Sequence, residues 1–226
     1  PVYLPQEAEP LPREPHHLGA VLIGPVRPAT WRDPRPRDAD FYAAKGAVGG
    51  LLDSLRAPWT VHATDSAEPY LHPGRAAQIL VDGKPAGWLG EIHPLVAAGW
   101  ELSDTVAGFE LDLDLVARHA TATQRYEDLT SFPDVREDLA VVVADNVSAE
   151  QVLTVVRRAG EPLLAEAEVF DVYRDPERIG AGKVSLALRL TYRAPDRTLS
   201  DEDVAAPRRA IALALSEELD GRVRDA

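Results

Sequence analysis

Between residues 184 and 191, large aliphatic side chains alternate without interruption with small or polar ones. This alternation constrains the fold of the chain more than any other feature of its sequence. The apolar positions are Val184, Leu186, Leu188 and Leu190, and the positions between them are Ser185, Ala187, Arg189 and Thr191. Successive side chains of a β-strand point to opposite faces of the sheet, so this period of two predicts a strand with one buried face. The aliphatic side therefore requires a second layer of structure to cover it.

The neighbouring sequence predicts that layer as two helices. Residues 139–143 alternate in a first strand, and Ser148 with Gln151 has the spacing of a capping box that starts a helix. The remaining predicted elements are a strand at 169–174, a turn-rich loop at 175–182, a second helix capped by Ser200, and a short strand at 222–224. This order is βαββαβ, the ferredoxin-like arrangement, in which both helices cover one face of the sheet and leave the other open.

A second folded unit precedes this one. Residues 119–131 (HATATQRYEDLTS) are polar and poor in aliphatic side chains, which is typical of a connector between domains. We therefore predict units at residues 1–118 and 132–226, joined by a linker at residues 119–131. For the first unit the patterns predict an α/β module with a mainly antiparallel sheet. Its predicted elements are strands at 18–24, 59–63, 76–81, 88–92 and 106–111, and a helix at 41–55.

Composition narrows the possible functions. The chain has 226 residues, no cysteine and a formal net charge of -13, and neither half is basic. The missing cysteines exclude disulfides, thiolate metal sites and cysteine nucleophiles, and the acidic balance requires any RNA contact to be local. Without an apolar run long enough to span a bilayer, the chain is expected to be cytoplasmic with no membrane contact. It begins Pro1-Val2 and contains no methionine, which favours a piece of a longer protein.

Six sequence strings resemble a single family when taken together. They are LHPGRAA at 71–77, GWLGEIHP at 87–94, FPDVREDL at 132–139, FDVY at 170–173, GKVSLA at 182–187 and APDRTLSD at 194–201. In this order they resemble the C-terminal part of the β subunit of bacterial phenylalanyl-tRNA synthetase, over nearly the whole chain. Two positions depart from that family: Glu137 stands where a second basic residue is common, and Pro207 lies inside the predicted last helix.

The resemblance implies an α+β chain with two roles. The first unit is implied to be a class II synthetase catalytic-like module that has lost its chemistry and serves as a scaffold against the α subunit. The second is implied to be a ferredoxin-fold anticodon-binding domain. The FRxE and Gly-rich Glu-Arg strings of an active class II site are missing from the sequence, so we expect no catalytic residue, metal or cofactor in this chain. The intact enzyme is implied to be a cytoplasmic (αβ)₂ heterotetramer that joins phenylalanine to tRNA(Phe) using ATP and Mg²⁺.

The open face of the second sheet carries the predicted binding residues. Small side chains admit an unstacked base, tyrosine stacks on it, aspartate accepts from a guanine edge, and arginine binds phosphate or base. Alternation predicts accessible outward side chains for Arg189 and Tyr173, and inward ones for Phe170 and Val172. A merely solvated face has the same composition, so the residues alone leave both interpretations open, and the resemblance favours RNA. The predicted RNA-binding residues are Arg136, Asp138, Ala140, Asp171, Tyr173, Ser185, Ala187 and Arg189.

Other residues and functions are weaker candidates. His72 and His93 lack the spacing of metal ligands and are better explained as strand-end and turn residues. Arg75 is expected in an ion pair at a domain or subunit contact, and residues 180–182 in a hairpin loop rather than a phosphate loop. Two rival functions remain: a ferredoxin-like regulatory module that binds a small molecule at a sheet edge, and an autonomous ligase in the first unit.

Overall fold

The structure is a computed structural model that describes residues 1–6, 10–64, 68–121, 123 and 132–224. It divides into two compact units, Pro1–Tyr126 and Glu127–Ala226, and each is described by itself. The division falls within the linker predicted at residues 119–131, most of which (122 and 124–131) lies outside the described residues. Within the described ranges, no helix is both long enough and apolar enough to cross a membrane.

In the described part of the first unit, five strands form an antiparallel sheet in the order β1-β5-β4-β3-β2. The strands are β1 (His17–Ile23), β2 (Trp59–Ala63), β3 (Leu71–Val81), β4 (Lys84–Ile92) and β5 (Val106–Asp112). The helices are α1 (Phe41–Ser54), α2 (Pro94–Gly99) and α3 (Leu113–His119). Every pairing in this sheet is antiparallel, which confirms the prediction of a mainly antiparallel module.

The core of the first unit lies between α1 and one face of the sheet. Asp40 caps α1, because its side chain accepts a hydrogen bond from the Ala43 amide at 2.9 Å and satisfies a free donor of the first turn. Val48 and Leu52 follow one turn apart and are fully buried in the same cluster as Leu89 of β4. Burying one such aliphatic side chain stabilises the fold by about 1.5–3 kcal/mol.

In the described part of the second unit, four strands form an antiparallel sheet in the order β7-β8-β6-β9. The strands are β6 (Val135–Ala144), β7 (Leu164–Tyr173), β8 (Lys183–Tyr192) and β9 (Arg222–Arg224), and the helices are α4 (Ala149–Gly160), α5 (Pro176–Ile179) and α6 (Asp201–Leu219). Apart from the short α5 between β7 and β8, the order is βαββαβ. The prediction of an α+β chain ending in a ferredoxin-like domain is confirmed.

Both long helices of this unit begin where the sequence predicts. Ser148 and Gln151 form a reciprocal capping box at α4, and Ser200 forms a second one with Asp203 at α6. Pro207 lies inside α6, as the sequence indicated.

The two long helices supply the layer that the aliphatic side of β8 requires. Val152 and Val156 of α4 and Ile211 and Leu215 of α6 are fully buried in one cluster with Leu188 of β8. Both helices therefore cover the same face of the sheet, and the face that carries the intervening residues of β8 is opposite to them. This second face is called the open face below.

The sequence patterns do not predict the short helices α2, α3 and α5. These have six, seven and four residues, too few to establish a period of 3.6. Each is capped by the side chain before it, from His93, Asp112 and Asp175 respectively. The loop predicted at residues 175–182 thus contains one turn of helix.

Candidate nucleic-acid interface

Cross-strand neighbours form four rows on the open face, each running from β7 toward β9. The rows are Tyr173, Ser185, Val142 and Arg222; then Asp171, Ala187, Ala140 and Arg224; then Glu168, Arg189 and Asp138; then Glu166, Thr191 and Arg136. Directly opposed residues in a sheet project to the same side, so each row is one line of adjacent side chains. All of the predicted RNA-binding residues lie in these rows. Their role in binding RNA stays a prediction.

The middle of the open face is made of small side chains. Ala140 and Ala187 are direct neighbours on β6 and β8 and are partly exposed. Ser185 and Val142 are also neighbours, but both are buried, with 6% and 7% of their surface exposed. The two alanines therefore form a shallow exposed area over which a flat group has room to lie. Ser185 lies beside them and is buried beneath the surface of the face.

Tyr173 stands beside this area and is fixed by its neighbour Asp175. The tyrosine hydroxyl donates to Asp175 Oδ2 at 2.7 Å. This hydrogen bond raises the pKa of Tyr173 and lowers that of Asp175. The ring is partly buried and keeps a defined position, which suits a stacking platform because little side-chain freedom remains to be lost on binding.

Arg189 and Asp138 bind each other across β8 and β6. The guanidinium donates from Nε to Oδ1 at 3.0 Å and from Nη2 to Oδ2 at 3.1 Å, a bidentate pair. The hydrogen bonds to Asp138 raise the pKa of Arg189. Arg189 remains 41% exposed, but its charge already has a partner. The sequence predicts the accessibility of this residue correctly and does not reveal that it is paired.

The inward orientation predicted for Phe170 is wrong. Phe170 is 47% exposed and its ring lies on the open face, with the Arg189 guanidinium carbon 4.6 Å from the ring centroid. The cause is an irregularity in β7, where Val169 lies opposite Leu188 and Asp171 opposite Ala187, so that Phe170 has no residue of β8 paired with it. Val172 lies opposite the buried Leu186, as predicted for an inward residue, yet it is 52% exposed at the edge of the sheet.

Arg222 and Arg224 are open-face residues that the sequence argument missed. Strand β9 pairs with β6 so that Arg222 lies opposite Val142 and Arg224 opposite Ala140. Both arginines are exposed, and within the described residues neither their side chains nor that of Arg136 form a hydrogen bond or an ion pair. Their alternation around Val223, which packs on the core, was the available signal.

Charge on the open face is graded from one edge to the other. The β7 side carries Glu166, Glu168 and Asp171, and the β9 side carries Arg222 and Arg224. Between them Asp138 and Arg189 neutralise each other. A chain whose net charge is -13 thus presents a local cationic edge, which is the form of RNA contact that its composition permits.

Glu137, which departs from the family pattern, lies on the covered side of the sheet. It pairs with the buried Leu190 of β8, and Arg208 of α6 donates to its Oε1 at 3.3 Å. The carboxylate therefore ties α6 to the sheet and places no negative charge on the open face.

In the first unit, the two family-like strings lie on paired strands. Arg75 of β3 donates to Glu91 Oε2 of β4 at 2.7 Å, and Glu91 also accepts from the Phe41 amide at the start of α1. Glu91 is only 6% exposed. Arg75 thus forms its ion pair inside its own unit, and its position at a domain or subunit contact stays a prediction. A Cβ at Gly87 would lie 1.8 Å from the Glu110 carbonyl oxygen, so β4 approaches β5 here only with glycine.

His72 and His93 also lie together, with ring centroids 6.4 Å apart. Each Nδ1 accepts a backbone hydrogen bond, from Gly74 in the first case and Leu95 in the second. These contacts are those of turn and cap residues, as the sequence suggested. Among the described residues, no group of three or more His, Cys, Asp or Glu side chains is arranged to hold a metal ion.

Comparison with family models assigns both units. Residues 1–113 match the model described as phenylalanyl tRNA synthetase beta chain CLM domain, which is half of the chain. The chain belongs to the phenylalanyl-tRNA synthetase β-chain family. Residues 130–224 match the ferredoxin-fold anticodon binding domain, so the resemblance drawn from the six strings is confirmed.

Curated members of the phenylalanyl-tRNA synthetase β-chain family align along most of this chain. It is 44% identical over 203 residues to the phenylalanine–tRNA ligase β subunit of Symbiobacterium thermophilum, covering 90% of this chain and 22% of the relative. It is 36% identical over 223 residues to the subunit of Geobacillus kaustophilus, with coverages of 99% and 27%. For the Bacillus subtilis subunit the identity is 34% over 216 residues, with coverages of 96% and 26%. The chain thus spans about a quarter of the length of these relatives.

Proposed function

We propose that this chain is the tRNA-recognition and scaffold part of a phenylalanine–tRNA ligase β chain, and that the open face binds single-stranded nucleotides of the anticodon. The observation that carries the proposal is the arrangement of the open face. A shallow area of alanine side chains lies between an oriented tyrosine with a carboxylate and a pair of arginines without ion-pair partners among the described residues. The family-model match to an anticodon binding domain supports the same assignment.

Each part of the face has a separate role in this proposal. A base lies over Ala140 and Ala187 and stacks on Tyr173, an interaction of about 1–3 kcal/mol per base. The Asp171 carboxylate, adjacent to Ala187, accepts hydrogen bonds from the edge of a guanine. Arg222 and Arg224 bind phosphates at the opposite edge. The bound RNA strand therefore lies with its bases toward β7 and its phosphate backbone toward β9.

The first unit is a scaffold without chemistry of its own. This role is supported by the class II strings that the sequence lacks and by the pairing of Arg75 with Glu91 inside the fold. We assign to it a catalytic-like α/β fold that contacts the α subunit. In the intact (αβ)₂ enzyme of the cytoplasm, ATP, Mg²⁺ and phenylalanine bind the α subunit. The purified chain should make no phenylalanyl-adenylate, and ATP–pyrophosphate exchange by the chain alone contradicts the proposal.

The decisive experiment measures binding of tRNA(Phe) to the chain by fluorescence anisotropy over a series of salt concentrations. Tyr173→Ala should cost about 1–3 kcal/mol with little change in salt dependence, because stacking releases no counterions. Tyr42→Ala is the matched control, since Tyr42 is a tyrosine 68% exposed on α1 of the other unit. If the unaltered chain has no RNA affinity but shows ligand-dependent thermal shifts, it is a small-molecule module instead.

A further inference from the structure

The pairing of β7 with β8 contains a β-bulge within the edge strand of the open face. Val169 lies opposite Leu188 and Asp171 lies opposite Ala187, so Phe170 is an extra residue on β7. A bulge of this kind bends its strand and redirects the side chains beyond it.

The bulge decides which face Asp171 and Tyr173 occupy. Val169 packs on the core of the covered side. Regular alternation onward from Val169 would turn Asp171 and Tyr173 toward the same covered side, because a one-residue change of register moves every side chain to the other face. Phe170 takes up the extra position, and the two polar side chains therefore point to the open face.

Arg189 holds the bulged residue in place. Its guanidinium lies over the Phe170 ring and is fixed to Asp138 of β6 by two hydrogen bonds. Glu168, directly opposite Arg189 on β7, adds a second favourable charge. The aromatic ring of the irregular strand is thereby tied to β6 and β8, whose mutual pairing is regular along its whole length.

We infer that Arg189 is a positioning residue: the Asp138–Arg189–Phe170 cluster holds the bulge in β7 and so presents Asp171 and Tyr173 on the open face. The consequence for RNA rests on the function proposed above, but the effect on register does not. In this role Arg189 binds no phosphate, because its charge is already balanced by Asp138 and Glu168.

The register is measured on the free chain by NMR. The unaltered chain should show cross-strand contacts between residues 171 and 187. Arg189→Ala and Phe170→Leu should each weaken these contacts in favour of contacts between residues 171 and 186, and Phe170→Tyr, which keeps a ring, should retain them. Arg193→Ala is the matched control, since Arg193 makes an equivalent two-bond pair with Asp134 away from the bulge. Unchanged 171–187 contacts in both Arg189→Ala and Phe170→Leu overturn the inference, and Phe170→Leu carries the test if Arg189→Ala does not fold.

Binding of tRNA(Phe) gives a second, independent reading. If Arg189 positions Tyr173, Arg189→Ala should lose about as much affinity as Tyr173→Ala, about 5- to 150-fold, and the double variant should be little worse than either. The salt slope should not change. A slope shallower by about 0.7, with additive losses, identifies a phosphate contact and overturns the positioning role. If Tyr173→Ala binds RNA normally, the proposed function fails. The NMR measurement of the β7–β8 register still tests the positioning role of Arg189 independently.

Discussion

Replacing Arg222 and Arg224 with glutamine tests how charge is arranged on the open face. The two side chains project from β9 beside Val142 and Ala140, and within the described residues they have no carboxylate partner. Glutamine keeps much of the length and polarity of arginine but removes its charge. Because both arginines are exposed and β9 contributes only Val223 to the core, the double variant should fold normally.

The expected magnitude follows from counterion release. Each phosphate contact on a single strand contributes about 0.7 to the slope of log affinity against log salt concentration. Two lost contacts should make the slope shallower by about 1.4. Between about 50 and 200 mM salt, the advantage of the unaltered chain over the double variant should then shrink about sevenfold.

The assay is anisotropy of labelled tRNA(Phe) at several salt concentrations within that range, with each single variant measured beside the double. Arg209→Gln is the control of equal charge, because Arg209 is an exposed residue of α6, whose helix covers the other face. Phosphate binding by Arg222 and Arg224 is refuted if the double variant keeps the affinity and slope of the unaltered chain, or if Arg209→Gln changes the slope as much as either single variant.

Three further predictions concern the fold. Leu188→Ala, which truncates a fully buried side chain, should lower the free energy of unfolding by about 2–5 kcal/mol in urea denaturation, while Val172→Ala, at a half-exposed position, should have little effect; the reverse order would mean that the faces are inverted. Hydrogen bonds from Ser200 lower the pKa of Asp203 to about 2, so the stability that this carboxylate gives α6 should be present above about pH 4 and lost as the pH falls toward 2. Circular dichroism should show a smaller loss of helix over that range for Asp203→Asn than for the unaltered chain. An acid transition identical in the two proteins contradicts this prediction. Limited trypsin digestion should cut first within residues 119–131 and release two stable fragments, whereas one indivisible core argues against the predicted linker.

Much of the second unit could be predicted because its signals are local. The alternation at residues 184–190 and the cap at Ser148 each depend on neighbours within a few positions, and the structure places β8 and α4 accordingly. The short helices could not be predicted because their sequences are too short to show a pattern. Helix α2 has six residues and is started by His93, whose ring the sequence suggested only as a turn residue. Six residues make fewer than two helical turns, too few for a period of 3.6 to be recognised.

Long-range pairing explains why the cationic edge was missed. Residues 222–224 predict a strand, but a three-residue strand does not identify its neighbour. Only the register of β9 on β6 shows that Arg222 and Arg224 lie beside Val142 and Ala140 of the open face. For Arg189 the sequence predicted the correct face, but an ion pair with Asp138, 51 residues away, is beyond the reach of alternation alone.

The bulge at Phe170 shows how a local pattern gives the correct orientation of some residues and the wrong one for their neighbour. A period of two read over residues 170–173 places Asp171 and Tyr173 on one face and Phe170 with Val172 on the other. Val169 packs on the core, however, so that period holds only if an extra residue lies between Val169 and Asp171. The extra residue is Phe170, and its ring must then share the open face with Arg189. Because Val169 packs on the core while Asp171 lies on the open face, β7 must contain a bulge between them. The bulge exposes the aromatic ring of Phe170, and the guanidinium of Arg189 lies over that ring.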